Sequence, residues 1–121
     1  MKIANLIVQL EANLKRELSK AYKEVHGKGP DETTVKIWGN VIVMKFEGAL
    51  TQIEGALRRS SEGERLVSQM RAQLIMNEKA DYVPILEKVL GVRITGISYI
   101  LGNEDSTLYL FATSNEDINP D

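Results

Sequence analysis

One histidine, a basic glycine-bearing loop and four helical arginines offer the most chemistry in this chain. His26 opens the run His26-Gly27-Lys28-Gly29-Pro30, where an imidazole, the Lys28 ammonium and loop amides are placed to meet an anion. The run lacks the longer glycine pattern ending in Lys-Ser or Lys-Thr that cradles nucleotide phosphates. A glycine pair after a helix is in the first place backbone punctuation. Arg58, Arg59, Arg65 and Arg71 follow. Converging, they would form an anion patch; as a solvated helical face, they would pair with Glu54, Glu62 and Glu64. The candidate ligand-binding residues are His26, Lys28, Arg58, Arg59 and Arg65.

No catalytic residue is assigned. The chain has no cysteine, and a single histidine makes neither a triad nor a histidine metal cluster. HExxH, GxSxG and carboxylate-rich metal loops are absent from the sequence. Asp31, Glu32, Glu62, Glu64 and Asp81 have capping or surface explanations. No metal or cofactor is expected, and the residues point away from an enzyme. A protein or enzyme using the His26–Lys28 loop and the arginines on a small anionic ligand is the alternative.

The elements that must position these groups begin with a hairpin. Gly39-Asn40 separates two runs rich in β-branched residues, 33–38 and 41–47, with no spare residue, and both turn residues accept the positive φ that tight hairpin turns use. If Trp38 faces Val41, then Ile37 faces Ile42, Val35 faces Met44 and Thr33 faces Phe46. One sheet face then carries Val35, Ile37, Ile42, Met44 and Phe46 as core. The other carries Thr34, Lys36, Trp38, Val41, Val43 and Lys45.

Before the hairpin, Ile3, Ile7, Leu10, Leu14, Leu18, Ala21, Tyr22 and Val25 recur at helical spacing, and Gly27 and Pro30 end that helix. After it, Thr51 with Glu54 forms a capping box for a short helix. A second box, Ser61 with Glu64, opens a helix burying Leu66, Val67, Met70, Leu74 and Ile75. Residues 77–81 interrupt the pattern, and Asp81 is placed to cap a third segment with Pro84 in its first turn, closed by Gly91. Two strands, 92–101 and 107–113, close the fold around the turn 102–106. The last strand is apolar on both faces, as a strand would be that lies centrally or meets a partner with one face, and the strand order is left open. The expected fold is α+β: two hairpins in one largely antiparallel sheet under amphipathic helices, in the order helix, hairpin, helices, hairpin.

Composition sets the outer bounds. With 121 residues, 43% hydrophobic and 26% charged, one domain over residues 1–114 and an acidic flexible tail, 115–121, account for the chain. A net charge of −2 predicts no nucleic-acid partner. No apolar run reaches the ~20 residues that cross a bilayer, and the N-terminus is amphipathic, so direct membrane insertion is not expected and the reading is cytoplasmic.

In order, the His26-Gly27-Lys28-Gly29-Pro30 loop, the apolar hairpin Val35–Val43, Gly48-Ala49-Leu50-Thr51 and Ser61-Glu62-Gly63-Glu64-Arg65-Leu66-Val67 resemble the MpsC-like family of small bacterial proteins. That family is named for a sodium-translocating, membrane-potential-generating system. Gln52 stands where many members carry Pro. The resemblance implies an accessory protein working near membrane subunits for cation or inorganic-carbon transport, and it supplies no catalytic residues. It leaves a surface to explain: Trp38, Val41, Val43, Tyr109 and Phe111 form an apolar set on the second sheet face, the candidate partner interface. A homodimer through that face is the expected state, with a monomer whose 51–75 arm folds over it as the alternative.

Overall fold

The computed structural model describes residues 2–102 and 106–118, with side chains from Leu6 onward, so the Ile3 side chain and the middle of the 102–106 turn lie outside the described residues. Its elements are α1 (Lys2–His26), β1 (Glu32–Trp38), β2 (Val41–Glu47), α2 (Gln52–Leu57), α3 (Ser61–Leu90), β3 (Ile94–Leu101) and β4 (Leu108–Ser114). The four strands form one antiparallel sheet in the order β1-β2-β4-β3. Each hairpin thus places its first strand at an edge and its second in the centre, and of the two readings its apolar faces allow, β4 takes the central one.

The β1–β2 register is the one the turn dictates, with Trp38 opposite Val41, Ile37 opposite Ile42, Val35 opposite Met44 and Thr33 opposite Phe46. The turn itself differs from expectation. Gly39 has φ +57°, but among the described residues no non-glycine residue takes a positive φ, so Asn40 does not share that role. A positive φ at the first central residue alone is the type II′ pattern, whose twist matches the strands as well. Asn40 instead ties the turn to β4, its carbonyl accepting from the Ser114 amide at 2.9 Å.

Val35, Ile37, Ile42, Met44, Phe46, Leu108, Leu110 and Ala112 are buried on the inner sheet face. Leu14, Leu18 and Tyr22 of α1 and Ile75, Tyr82 and Leu86 of α3 pack on them in one cluster. α1 also guards an edge: Glu11 Oε2 accepts the Ile37 amide at 2.9 Å, and Ser19 Oγ donates to Thr33 Oγ1 at 2.8 Å. An unpaired strand edge is a template for unwanted pairing, and these contacts cap it. Gly27, with φ +78°, ends α1, its amide bonded to the Lys23 carbonyl at 2.8 Å.

Four expectations need correction. The second and third helical segments are one helix, α3, and residues 77–81 do not break it. Pro84 therefore lies inside that helix, not in a first turn. Ser60, not Ser61, is the N-cap, its Oγ accepting from the Gly63 amide at 3.0 Å. Leu66 and Met70 are exposed; the buried stripe is Val67, Arg71, Ile75, Glu78, Tyr82 and Leu86. Its 4-4-3-4-4 spacing is that of a helical face, and two charged residues sit on it, which is why an apolar pattern appears to lapse there. The start of the expected tail is docked as well: Ile118 is buried, and its amide donates to the Gly39 carbonyl at 2.9 Å.

Candidate functional site

Two places concentrate functional chemistry. The first is a buried polar cluster where α1, the β2–α2 loop, α2 and α3 meet. Thr51 N-caps α2, its Oγ1 accepting from the Glu54 amide while Glu54 Oε1 accepts the Thr51 amide at 2.8 Å. That capping box holds the Glu54 carboxylate facing α3, where it receives Arg71 in a two-point fork: Nε to Oε2 and Nη2 to Oε1, both 2.6 Å. Arg71 is 1% exposed. Its remaining hydrogens reach the Ala49 carbonyl at 2.6 Å and the Tyr22 hydroxyl at 3.0 Å, and Tyr22 donates in turn to Ala49 O. Nη1 also lies 3.5 Å from His26 Nδ1. A guanidinium only donates, so a hydrogen bond across this gap requires Nδ1 as the acceptor.

His26 stacks on Tyr22, ring centroids 4.0 Å apart. Its Nε2 stands 2.7 Å from Glu78 Oε1, yet off the direction of a hydrogen bond. The other oxygen of Glu78 accepts from the Tyr82 hydroxyl at 2.7 Å. Burial drives the Glu54 carboxyl upward, but the hydrogen bonds from Arg71 and Thr51 outweigh it and hold the group below its ordinary value. Burial also lowers Arg71, and the Glu54 and Tyr22 contacts more than restore it. Tyr22 is raised by burial against the opposing pull of Arg71, and Tyr82 is raised by burial and then by Glu78. The cluster can therefore hold charge and orient phenols, and it locks four segments together.

Arg71 lies neither in an anion patch nor on a solvated face, and the buried Glu78 and Tyr82 have no motif that marks them in the sequence. The available signal was positional: Arg71 and Glu78 occupy the stripe that Val67, Ile75 and Leu86 define. The candidate ligand residues do not converge. His26 is in the cluster; Lys28 pairs with Asp31 at 3.6 Å in the open. Arg58 Nη2 donates to the Gly102 carbonyl at 3.0 Å, Arg65 pairs with Glu62 at 3.0 Å, and Arg59 is exposed. His26 and Lys28 line a common depression with Gly27, Leu50, Thr51, Gln52 and Ile53. Among the described residues no group of three or more His, Cys, Asp or Glu is arranged to hold a metal ion.

The second place is the outer sheet face. Lys36, Val43, Phe111 and Ser98 stand in one cross-strand row, and Thr34, Lys45, Tyr109 and Ile100 in the next, with Trp38 beside Val41 at the hairpin end. All five candidate interface residues therefore share one surface. Trp38 is 68% exposed, and Val41, Val43, Tyr109 and Phe111 are half-buried by their neighbours. α1 and α3 pack on the opposite face, and the 51–75 arm does not fold over this one.

No helix among the described residues is long and apolar enough to cross a membrane. No curated protein and no solved structure matches the chain. Residues 7–104 match the family model described as "Na+-translocating membrane potential-generating system (MpsC)", which spans every element from the first helix through the β3 strand. The chain belongs to the MpsC family.

Proposed function

We propose that this chain is a non-enzymatic accessory or regulatory protein, cytoplasmic and self-associating, that serves membrane subunits for cation or inorganic-carbon transport through protein contacts. The family description supplies the membrane system. The observation that carries the mode of action is the open sheet face, where an exposed tryptophan adjoins Val41, Val43, Tyr109 and Phe111. An aromatic centre with lysines beside it has the make-up of a protein interface, with large anchors at the centre and polar groups at the rim. The Arg71–Glu54 part of the polar cluster supports the same reading, because its hydrogen bonds go to Thr51, Ala49 and Tyr22 of this chain and tie the fold together. Affinity capture of the tagged chain from the native cell is expected to retain subunits of a membrane transport system, and Trp38→Lys is expected to lose them. Capture of no such subunit, or equal capture by both chains, would count against this function.

A further inference from the structure

α2 and the middle of α3 form a surface without a single exposed charge. Between Thr51 and Leu57 the only charged residue is Glu54, and between Leu66 and Asn77 the only one is Arg71. Both are buried, paired to each other. In a chain that is 26% charged, the fold has withdrawn the charges of two neighbouring segments from solvent by the same ion pair. What remains outside is Ile53 at 75% exposure, Leu57, Leu66, Met70 and Met76, with the amides Gln69, Gln73 and Asn77 among them. Ile53 and Leu57 adjoin Met70 and Leu74 across a groove of about 300 Å³, so the two helices present one continuous surface. Along α3, Leu66, Gln69, Gln73, Met76 and Ala80 recur at the three-and-four spacing of a helix-pairing seam, all exposed. Charge returns at the ends, as Arg58 and Arg59 after α2, as Glu64 and the Glu62–Arg65 pair at the start of α3, and as Lys79 and Asp81 beyond its middle.

We infer that a second copy of this chain docks on the α2–α3 surface about a twofold axis, leaving the sheet face for the other partner. This rests on the reading of a self-associating accessory protein. The charge pattern selects the occupant. Across a twofold, a residue near the axis meets its own image, so a lysine or glutamate there meets a like charge. A glutamine amide both donates and accepts, so it pairs with its image. Methionine adapts its shape to an identical neighbour, and charge depletion at the centre with charge at the rim is the usual composition of an interface core. The sheet face lacks this self-complementarity, since Lys36 and Lys45 stand on it. The segment 66–77 is about 18 Å long, and two helix widths make the surface roughly 20 Å across, a few hundred Å² per chain. That is below the ~600 Å² per partner at which stable specific interfaces begin, so the pairing is a weak, concentration-dependent one.

Light scattering over micromolar concentrations tests this with the full chain. The wild type is expected to approach the two-chain mass, twice 13.5 kDa, as concentration rises. Gln73→Glu and Gln73→Lys, exposed changes between residues of similar helix propensity, are each expected to stay at the one-chain mass with unchanged circular dichroism. Mixing the two is expected to restore the two-chain mass, because opposite charges then meet at the axis. Trp38→Lys is expected to keep the dimer while losing membrane subunits, which separates this inference from the function above. A wild type that stays at the one-chain mass, a Gln73→Glu chain that stays dimeric, a mixture that fails to recover, or loss of the dimer in Trp38→Lys would each overturn it.

Discussion

Arg71 shows how one side chain can hold four segments: it reaches α2 through Glu54, the β2–α2 loop through Ala49, and α1 through Tyr22 and His26, while itself belonging to α3. Removing the guanidinium strands a buried carboxylate, and breaking such a pair costs about 3–5 kcal/mol. Arg71→Met is therefore expected to lower unfolding free energy by about that amount in urea titration, and adding Glu54→Leu to recover a large part of it. The Glu54 carboxyl also sets a pH dependence. Its folded value lies below the unfolded one, so its contribution is complete above the ordinary carboxylate range and is lost as pH falls through the lower folded value. Urea midpoints measured from neutral pH downward are expected to fall more steeply for the wild type than for Glu54→Gln, whose stability starts lower and no longer responds at this site.

At the scale of elements, α3 runs through a proline because tertiary packing fixes it on both sides, with Tyr82 and Leu86 buried around Pro84. Pro84 removes one helical hydrogen bond and crowds the preceding turn. Pro84→Ala is expected to raise stability by about 1–2 kcal/mol in the same assay, part of the helix gain being offset by a freer unfolded chain. At the other end of the helix, a Cβ on Gly63 would overlap the Leu57 carbonyl where α2 abuts α3, so Gly63→Ala is expected to destabilise despite the better helix former. The hairpin register gives a paired test. Met44 is fully buried and Lys45 faces out, so Met44→Asp, which buries an unpaired carboxylate worth several kcal/mol, is expected to unfold the domain, and Lys45→Asp is not. Equal melting shifts for the two would contradict the register.

For the whole molecule, the symmetric strand order β1-β2-β4-β3 under two helices that each end in a left-handed glycine, Gly27 and Gly91, leaves one sheet face for the core and one for the outside. Helical cover is thus spent on a single face, and Trp38 remains in water. A surface of this kind predicts a partner, and Trp38→Lys is expected to weaken capture of membrane subunits without moving the melting temperature by more than a degree or two, since the indole is 68% exposed. Capture and melting measured on the same preparation distinguish a contact residue from a folding residue.

Local chemistry was enough to determine the hairpin register, the glycine ends of both long helices and the Thr51–Glu54 box, because each depends on residues a few positions apart. It also grouped all five aromatic and aliphatic sheet-face residues on one side, since alternation along a strand carries that information, but the strand order, with β4 at the centre, came only from the tertiary structure. Tertiary structure alone decided that α3 is a single helix, that Arg71 and Glu78 lie inside, and that Arg58, Arg59 and Arg65 do not gather around His26 and Lys28. A charged residue reads as solvent-facing until its partner is known, and here the partners of Arg71 and Glu78 include residues of α1, some fifty positions away, brought close only when the helices pack.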